Sequence, residues 1–331
     1  MTRFVSCVAG LVMAGVLSAA ATATAFAADV VWPRKQIRLI VPYPPGGSAD
    51  TLGRALAQSL TGSLNQTVVV ENRAGAAGFI GSQAVARAEP DGYTLVVSGI
   101  GSHVIAPLQN PNAFDPIKDF THIAFLGGPP AALIVNADSP VKDLAGFITY
   151  ARGLPNGVSW GSPGQGTHGS LIGDAFKDTT KLKMVHVAYK GANAAVTDLI
   201  ANQIQAAFIT LSSATAGIKS GRIRAIALTA DKRLDDFPDV PTFTEQGYPK
   251  LTGTTWFSLS GPAGMDPAVT TKLNAAVRQA MRTPEIQREL RQQNMVTEDW
   301  DAATFTRYVG TEITHWSPYL QAAEVVTGNK P

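Results

Sequence analysis

The chain is organised around one alternation, a short apolar strand, a turn of small residues and an amphipathic helix, which recurs along its length. Gln36 to Val41 reads as a β-strand: short, rich in β-branched residues and ended by Pro42. After the turn Pro44-Pro45-Gly46-Gly47, Leu52, Ala55, Leu56 and Leu60 recur at three- and four-residue steps, the period of a helix, with Ser48 as its expected N-cap. Thr67 to Val70 is a second strand. It runs through Glu71-Asn72-Arg73 into the small-residue loop Ala74 to Gly81 and a helix carrying Ala84, Val85 and Ala88. Pro90-Asp91-Gly92 turns the chain into a third strand, Tyr93 to Val97. Strands that alternate with helices pack as a parallel sheet with helices on both faces. Sites in such sheets lie outside the carboxyl ends of the strands.

A second series begins after Ile123–Leu126 and Ala132–Val135, two strands split by Gly127-Gly128-Pro129-Pro130. Val141 to Ala151 is helical and Gly157 to Trp160 a strand. Gly161 to His168 is another glycine-rich turn, feeding a helix through Leu171, Ile172 and Phe176. Met184–Ala188, Ile204–Ile209 and Ile223–Leu228 are strands. Ala195, Val196, Leu199 and Ile200 form one face of the helix between the first two. After a returning strand, Thr254 to Leu259, the chain is helical, with Asp266 capping a helix that has Pro267 at its first position. The expected fold is α/β in two domains, each a mostly parallel sheet flanked by helices. Domain 1 is discontinuous, 28–127 with 228–331, and domain 2 is 128–227. No internal repeat is visible in the sequence.

Residues 1–27 stand apart. Arg3 supplies a basic start, Phe4 to Ala23 is apolar and small, and Ala25-Phe26-Ala27 is a cleavage signal, so the expected exported chain starts at Ala28. The one cysteine, Cys7, leaves with that leader, which excludes disulfides and thiol chemistry from the remainder. The formal net charge of +2 falls by one with Arg3. No basic stripe is present, so nucleic acid is not an expected partner. No second apolar run is long enough for a membrane span.

Candidate site residues gather at two turns. A strand, a glycine turn and a helix start leave unpaired N–H groups facing a ligand at the positive end of the helix dipole. The stretch Tyr43 to Asp50 therefore suits an anion, or is an ordinary serine-capped βα turn. Gly164-x-Gly166-x-x-Gly169 matches a dinucleotide fingerprint in spacing. The acid that would hold a ribose about twenty residues on is replaced by Ala188-Tyr189-Lys190, so no nicotinamide cofactor is expected. There is no Gly-x-Ser-x-Gly elbow and no phosphate-binding Walker loop. His103, His122, His168, His186 and His315 lack metal-ligand spacing, and only His103 and His168 fall in the candidate loops. Asp198 lies on the polar side of its helix, as a solvated position or a loop brace. Trp160 and Trp256 are pocket walls or core.

Several stretches in order resemble the Bug-type periplasmic receptors of tripartite tricarboxylate transporters. They are Val41-Pro42-Tyr43-x-x-Gly46-Gly47-Ser48-x-Asp50, Val69-x-Glu71-Asn72-Arg73-x-Gly75-x-x-Gly78, Pro90 to Leu95, Gly164-x-Gly166-Thr167-x-Gly169, Val187-x-Tyr189-Lys190-Gly191, Asp198-Leu199, Ile218 to Ala225 and Asp239-Val240-Pro241-Thr242. The resemblance covers nearly all of the chain after the leader. It implies a Venus flytrap binding protein of type II, monomeric and periplasmic, without cofactor, metal or catalysis. Such a receptor takes a small mono- or dicarboxylate, aromatic acids included, and passes it to membrane permease subunits. A periplasmic sensor that presents the acid to a signalling partner has the same fold, and an enzyme acting on a small carboxylate is the remaining alternative. By the same resemblance Tyr43, Pro45, Gly46, Gly47, Ser48 and Asp50 would hold one carboxylate, largely through backbone N–H groups and waters. Ser162, Gly164, Gly166, Thr167 and His168 would hold the other end. Ala77, Gly78, Ser102, His103, Tyr189 and Asp198 would line or brace the cleft. The sequence departs from the pattern at Ile209-Thr210, where many members carry an acid. That argues against an amine-bearing ligand.

Overall fold

The computed structural model describes residues 32–110 and 114–327, with side chains to Leu320. The leader and its expected cleavage after Ala27 lie outside the described residues.

The first series runs β1 (Ile37–Val41), α1 (Ser48–Leu64), β2 (Val68–Asn72), α2 (Phe79–Ala86), β3 (Thr94–Gly99), a π-helical turn (Gly101–Ile105) continuing into α3 (Ala106–Gln109), and β4 (Phe120–Gly127). The second runs β5 (Ala131–Asn136), α4 (Leu144–Gly153), β6 (Val158–Ser162), α5 (His168–Thr180), β7 (Met184–Ala188), α6 (Ala192–Ile200), β8 (Ala206–Thr210), α7 (Leu211–Lys219) and β9 (Ile223–Leu228). The chain then returns through β10 (Phe257–Pro262), α8 (Pro267–Met281), α9 (Pro284–Gln292) and α10 (Ala302–Thr327). Helix α7 is absent from the sequence reading, although Leu211, Ala214 and Ile218 fall on one helical face. Two caps are as the residues suggest: the Asp266 carboxyl accepts from Ala268 N at 2.7 Å, and Pro267 opens α8. At α1 the N-cap is Gly47 rather than Ser48, which is the first helical residue and makes no side-chain cap.

The strands form two five-stranded sheets, β2-β1-β3-β10-β4 and β7-β6-β8-β5-β9. β1 pairs in parallel with β2 and β3, and β6 with β7 and β8. The fourth strand in each order, β10 or β5, is antiparallel to both neighbours. The two sheets therefore share one topology. In each, the antiparallel strand is the first one laid down after the chain arrives from the other sheet. The buried faces explain the composition: β5 is buried at every position, as a central strand covered on both sides requires.

The crossings between the sheets are short and held by backbone bonds. Gly128 N donates to Val296 O at 2.9 Å and Val296 N to Gly128 O at 3.0 Å, while Thr255 N donates to Pro129 O at 2.8 Å. Two crossings are expected from the sequence; a third segment around Val296 runs beside them. Gly127 has φ 98°, and at Gly128 a Cβ would run into the Thr255–Trp256 backbone, so close approach of these segments requires glycine. Helix α10 packs on β4 from the first sheet and on α5 from the second. Its Phe305, Val309 and Trp316 share one buried core with Phe125, Trp160, Phe176 and Trp256.

Candidate functional site

A cavity of about 790 Å³ lies between the carboxyl ends of the two sets of parallel strands. Its lower wall comes from the loop between β1 and α1. That loop is shaped by Asp50, a 3% exposed carboxylate in the first turn of α1. Asp50 accepts hydrogen bonds from Gly46 N at 2.9 Å, Asn72 Nδ2 at 2.8 Å and Arg54 Nε at 3.0 Å. Asn72, at the end of β2, also donates to Tyr43 O at 3.1 Å. Burial alone would raise the Asp50 pKa, but bonds from Arg54, Gly46 N and Asn72 outweigh it and hold the carboxyl below its ordinary value. The result is a rigid turn with Tyr43, Pro45, Gly46, Gly47, Ser48 and Ala49 on the cavity side.

Tyr43 is fixed from behind. Its hydroxyl bonds to Ser102, and burial pushes its pKa up. Ser102 Oγ lies 3.1 Å from His103 Nδ1. His103 is fully buried among Phe114, Phe120 and His122, and burial keeps it neutral, with His122 adding to the effect. Gly78, at φ 95°, packs against the Tyr43 ring, where a Cβ would come within 3.2 Å. Ala77 lines the cavity; Asp50, Gly78, Ser102 and His103 stand behind the lining.

The opposite wall comes from the loop between β6 and α5. Thr167 caps α5, accepting from Ser170 N at 3.3 Å while its hydroxyl donates to Gly164 O at 2.8 Å. Gly166, Thr167 and His168 line the cavity. Ser162 and Gly164 do not: Ser162 Oγ lies 2.7 Å from His186 Nε2 and accepts from Gly164 N at 3.2 Å. Gly169 packs α5 directly on the β8 backbone at Phe208, so the glycine spacing has a packing reason without any dinucleotide. His168 Nδ1 lies 2.9 Å from Thr255 Oγ1 on the returning chain, a bond between the two halves. Burial, helped by His315, drives its pKa down to about 3, so it contributes no charge. The Tyr189 hydroxyl donates to Asp198 Oδ2 at 2.7 Å; burial and then Asp198 raise its pKa to about 12. This pair braces the turn that carries Lys190 and Gly191 and stands outside the lining.

Four helix starts converge on the cavity, two more than the sequence showed. They are Ser48 of α1, His168 of α5, Ala192 of α6 and the Thr210 cap of α7. The N–H groups of each first turn have no acceptor within their helix. The α6 start was legible in Lys190-Gly191-Ala192, where Gly191 takes φ 113°. The α7 start was legible in Thr210 and Ser213, whose hydroxyls lie 2.8 Å apart. Thr255, Trp256 and Phe257 supply a further part of the wall; of the two tryptophans weighed as wall or core, Trp256 is among the lining residues and Trp160 is core, while Thr255 and Phe257 carried no sequence signal beyond a strand. Lys190 is the one lysine or arginine in the lining, and no carboxylate side chain is among the lining residues. No group of metal-ligating side chains occurs among the described residues.

Two matched α/β lobes with a cavity between facing helix starts are the layout of a two-domain solute-binding protein. The comparisons name the family. The model of the tripartite tricarboxylate transporter family receptor matches residues 52–325. BugT of Bordetella pertussis is 32% identical over 278 residues, 83% of this chain and 85% of that protein. Among solved structures, R. palustris Rpa4515 with adipate superposes with a TM-score of 0.77 at 30% identity, covering 88% of this chain and 98% of that one. The periplasmic binding protein BugD gives 0.74 at 28% identity, covering 89% and 99%. The chain belongs to the Bug-type receptors of the tripartite tricarboxylate transporter family. It is a periplasmic solute-binding receptor and not an enzyme.

Proposed function

We propose that this receptor captures a small organic acid in the cavity and delivers it to a membrane permease. The observation that carries the reading is the convergence of four helix N-termini on a cavity with one ammonium group and no carboxylate. Each N-terminus offers a negative group roughly 0.3–1 kcal/mol, up to about 2 when partly buried. Charge-assisted hydrogen bonds add about 1.5–3 kcal/mol apiece. Micromolar affinity needs about 8 kcal/mol, within reach of two such ends and their N–H groups. Tyr43, Pro45, Gly46, Gly47, Ser48 and Ala77 face the ligand from one lobe and Gly166, Thr167 and His168 from the other. Asp50, Gly78, Ser102, His103, Ser162, Gly164, Tyr189 and Asp198 hold those loops in place. We assign 28–127 with 228–331 to one domain and 128–227 to the other, closing about the crossings at 127–130 and 228–230. The R. palustris relative with adipate supports a carboxylate of this size, and the apolar walls at Ile100, Trp256 and Phe257 suit a hydrocarbon or aromatic body. A melting screen with mono-, di- and aromatic carboxylates tests it, because a ligand that binds only the folded state raises Tm. Stabilisation by at least one acid and by no amine or sugar is expected. A flat response across the acids at millimolar concentration overturns the reading.

A further inference from the structure

Two acids are buried among the described residues, and they are held in opposite ways. Asp50 has an arginine. Glu312, on α10 and 6% exposed, makes no ion pair among the described residues. Its Oε2 instead accepts the indole N–H of Trp256 at 2.8 Å and that of Trp316 at 3.4 Å. These indoles are not remote from function. Trp256 is part of the cavity wall. Trp316 packs edge-on against His168, with ring centroids 5.7 Å apart, and His168 lines the cavity from the other lobe. One carboxyl oxygen thus ties the returning chain to the helix that seals the seam between lobes.

We propose that Glu312 is a positioning residue of the receptor: from the core side its carboxyl holds the indole of Trp256, a residue of the cavity wall, and gain or loss of its proton resets that wall segment. The inference rests on the reading of this cavity as the solute site. Ionised, Glu312 receives both indoles in charge-assisted bonds. Protonated, its remaining acceptor holds Trp256 in a neutral bond roughly half as strong. Burial pushes the pKa up, against the opposing bonds from Trp256, Trp316 and Tyr308, to about 7. The surrounding groups do not reverse this. Tyr308 on the same helix is held above its ordinary range by burial, Glu312 and Asp231. His315, one turn on, is lowered by burial and gives its ring nitrogen to Lys250 O. His168 of α5 is neutral. An anion captured against Trp256 repels the ionised form, so binding favours the protonated form, and affinity falls as pH rises through 7.

The test needs no acid. Tryptophan emission and acrylamide quenching of the full exported chain are followed from pH 5.5 to 8.5. His186, stacked on Trp160 at 4.1 Å, titrates at about 4 and stays silent in that window, and burial lowers His315, 4.4 Å from Trp316, below its ordinary value and away from a midpoint near 7. The wild-type quenching constant is expected to change at least twofold, with a midpoint near 7. Glu312→Gln should abolish the transition. Should that variant fail to fold, Trp256→Phe removes one donor that favours the ionised form. The midpoint should then move up by about one pH unit. A transition that survives in Glu312→Gln, a midpoint unmoved in Trp256→Phe, or a flat wild-type curve overturns the proposal. A failed carboxylate screen beside an intact transition would instead sink the solute-site reading alone.

Discussion

Asp50 is where sequence, fold and site meet most directly, and its removal has a calculable cost. Asp50→Ala strips the acceptor from Gly46 N, Asn72 Nδ2 and Arg54 Nε at once. Bonds to a buried charged group are each worth about 1.5–3 kcal/mol. The three do not add in full. The Arg54 side chain is 53% exposed and recovers water, so its share is small. Gly46 is exposed and its N–H is resolvated as well. The net loss should be about 2–4 kcal/mol at pH 7. Asp50→Asn should cost a large part of this, because the charge is lost and the amide NH2 must face at least one donor, Asn72 Nδ2 in its better orientation. The carboxyl is held below its unfolded value, so its stabilisation is complete above the unfolded pKa, about 4, and is lost as pH falls through the folded pKa. Urea unfolding at pH 7 and at progressively lower pH reads both effects. The gap between wild type and Asp50→Ala should narrow on acidification. A gap under about 0.5 kcal/mol at pH 7, or one that widens in acid, refutes the brace.

Proline at a helix's first position deletes an N–H without breaking the helix, and the extended ψ of 171° at Gly47 accepts a following proline. Ser48→Pro and Ala192→Pro should each weaken the acid found by melting at least tenfold by calorimetry, about 1.4 kcal/mol, with circular dichroism unchanged and Ser48→Ala near wild type. If both prolines bind like wild type while Lys190→Met abolishes binding, a cationic side chain holds the anion. Gly173 lies against the Trp160 ring in the α5–β6 packing, so Gly173→Ala should lower stability by about 1–3 kcal/mol or more in urea. Small-angle scattering should show the radius of gyration falling when that acid saturates the receptor, and an unchanged curve argues against hinge closure. N-terminal sequencing of exported protein should begin Ala-Asp-Val-Val; recovery only in membranes with residues 1–27 attached refutes the leader.

What the sequence disclosed followed from period and local chemistry. The alternation of β-branched runs with helical faces marked each of the strands β1 to β10, and Asp266-Pro267 announced α8. Direction was not readable. β5 and β10 are buried on both faces like their parallel neighbours, so nothing in their residues says that they run the other way. The shared topology of the two sheets was hidden for the same reason: it is a repeat of connections, not of residues. Position within the site was partly readable. Glycine turns at strand ends located the α1 and α5 loops, yet whether Ser102 or His103 meets solute or braces Tyr43 depends on layers of packing that lie far from Tyr43 in sequence. Ser48 was one position off as a cap because Gly47 takes the extended conformation itself.

The departure at Ile209-Thr210 gains its meaning only in this setting. Ile209 is fully buried in the core of its lobe, and the chain meets the cavity one residue later, at the Thr210 cap of α7. An acid there would sit across from an ammonium group and neutralise it. With threonine, the hydroxyl is bonded to Ser213 and the Leu211 N–H to Pro130 O, which leaves the next N–H groups of the α7 first turn as the polar groups there. An amino acid in this cavity would place its ammonium among helix N-termini, Lys190 and neutral His168, with no carboxylate in the lining to pair it. Leaving a charge unpaired away from water costs several kcal/mol. That exceeds what one extra hydrogen bond returns. If this cavity is the solute site, a plain carboxylate should bind at least tenfold more tightly than its amino analogue, about 1.4 kcal/mol, and calorimetry with such a pair checks it: equal affinity refutes selection by the four helix starts.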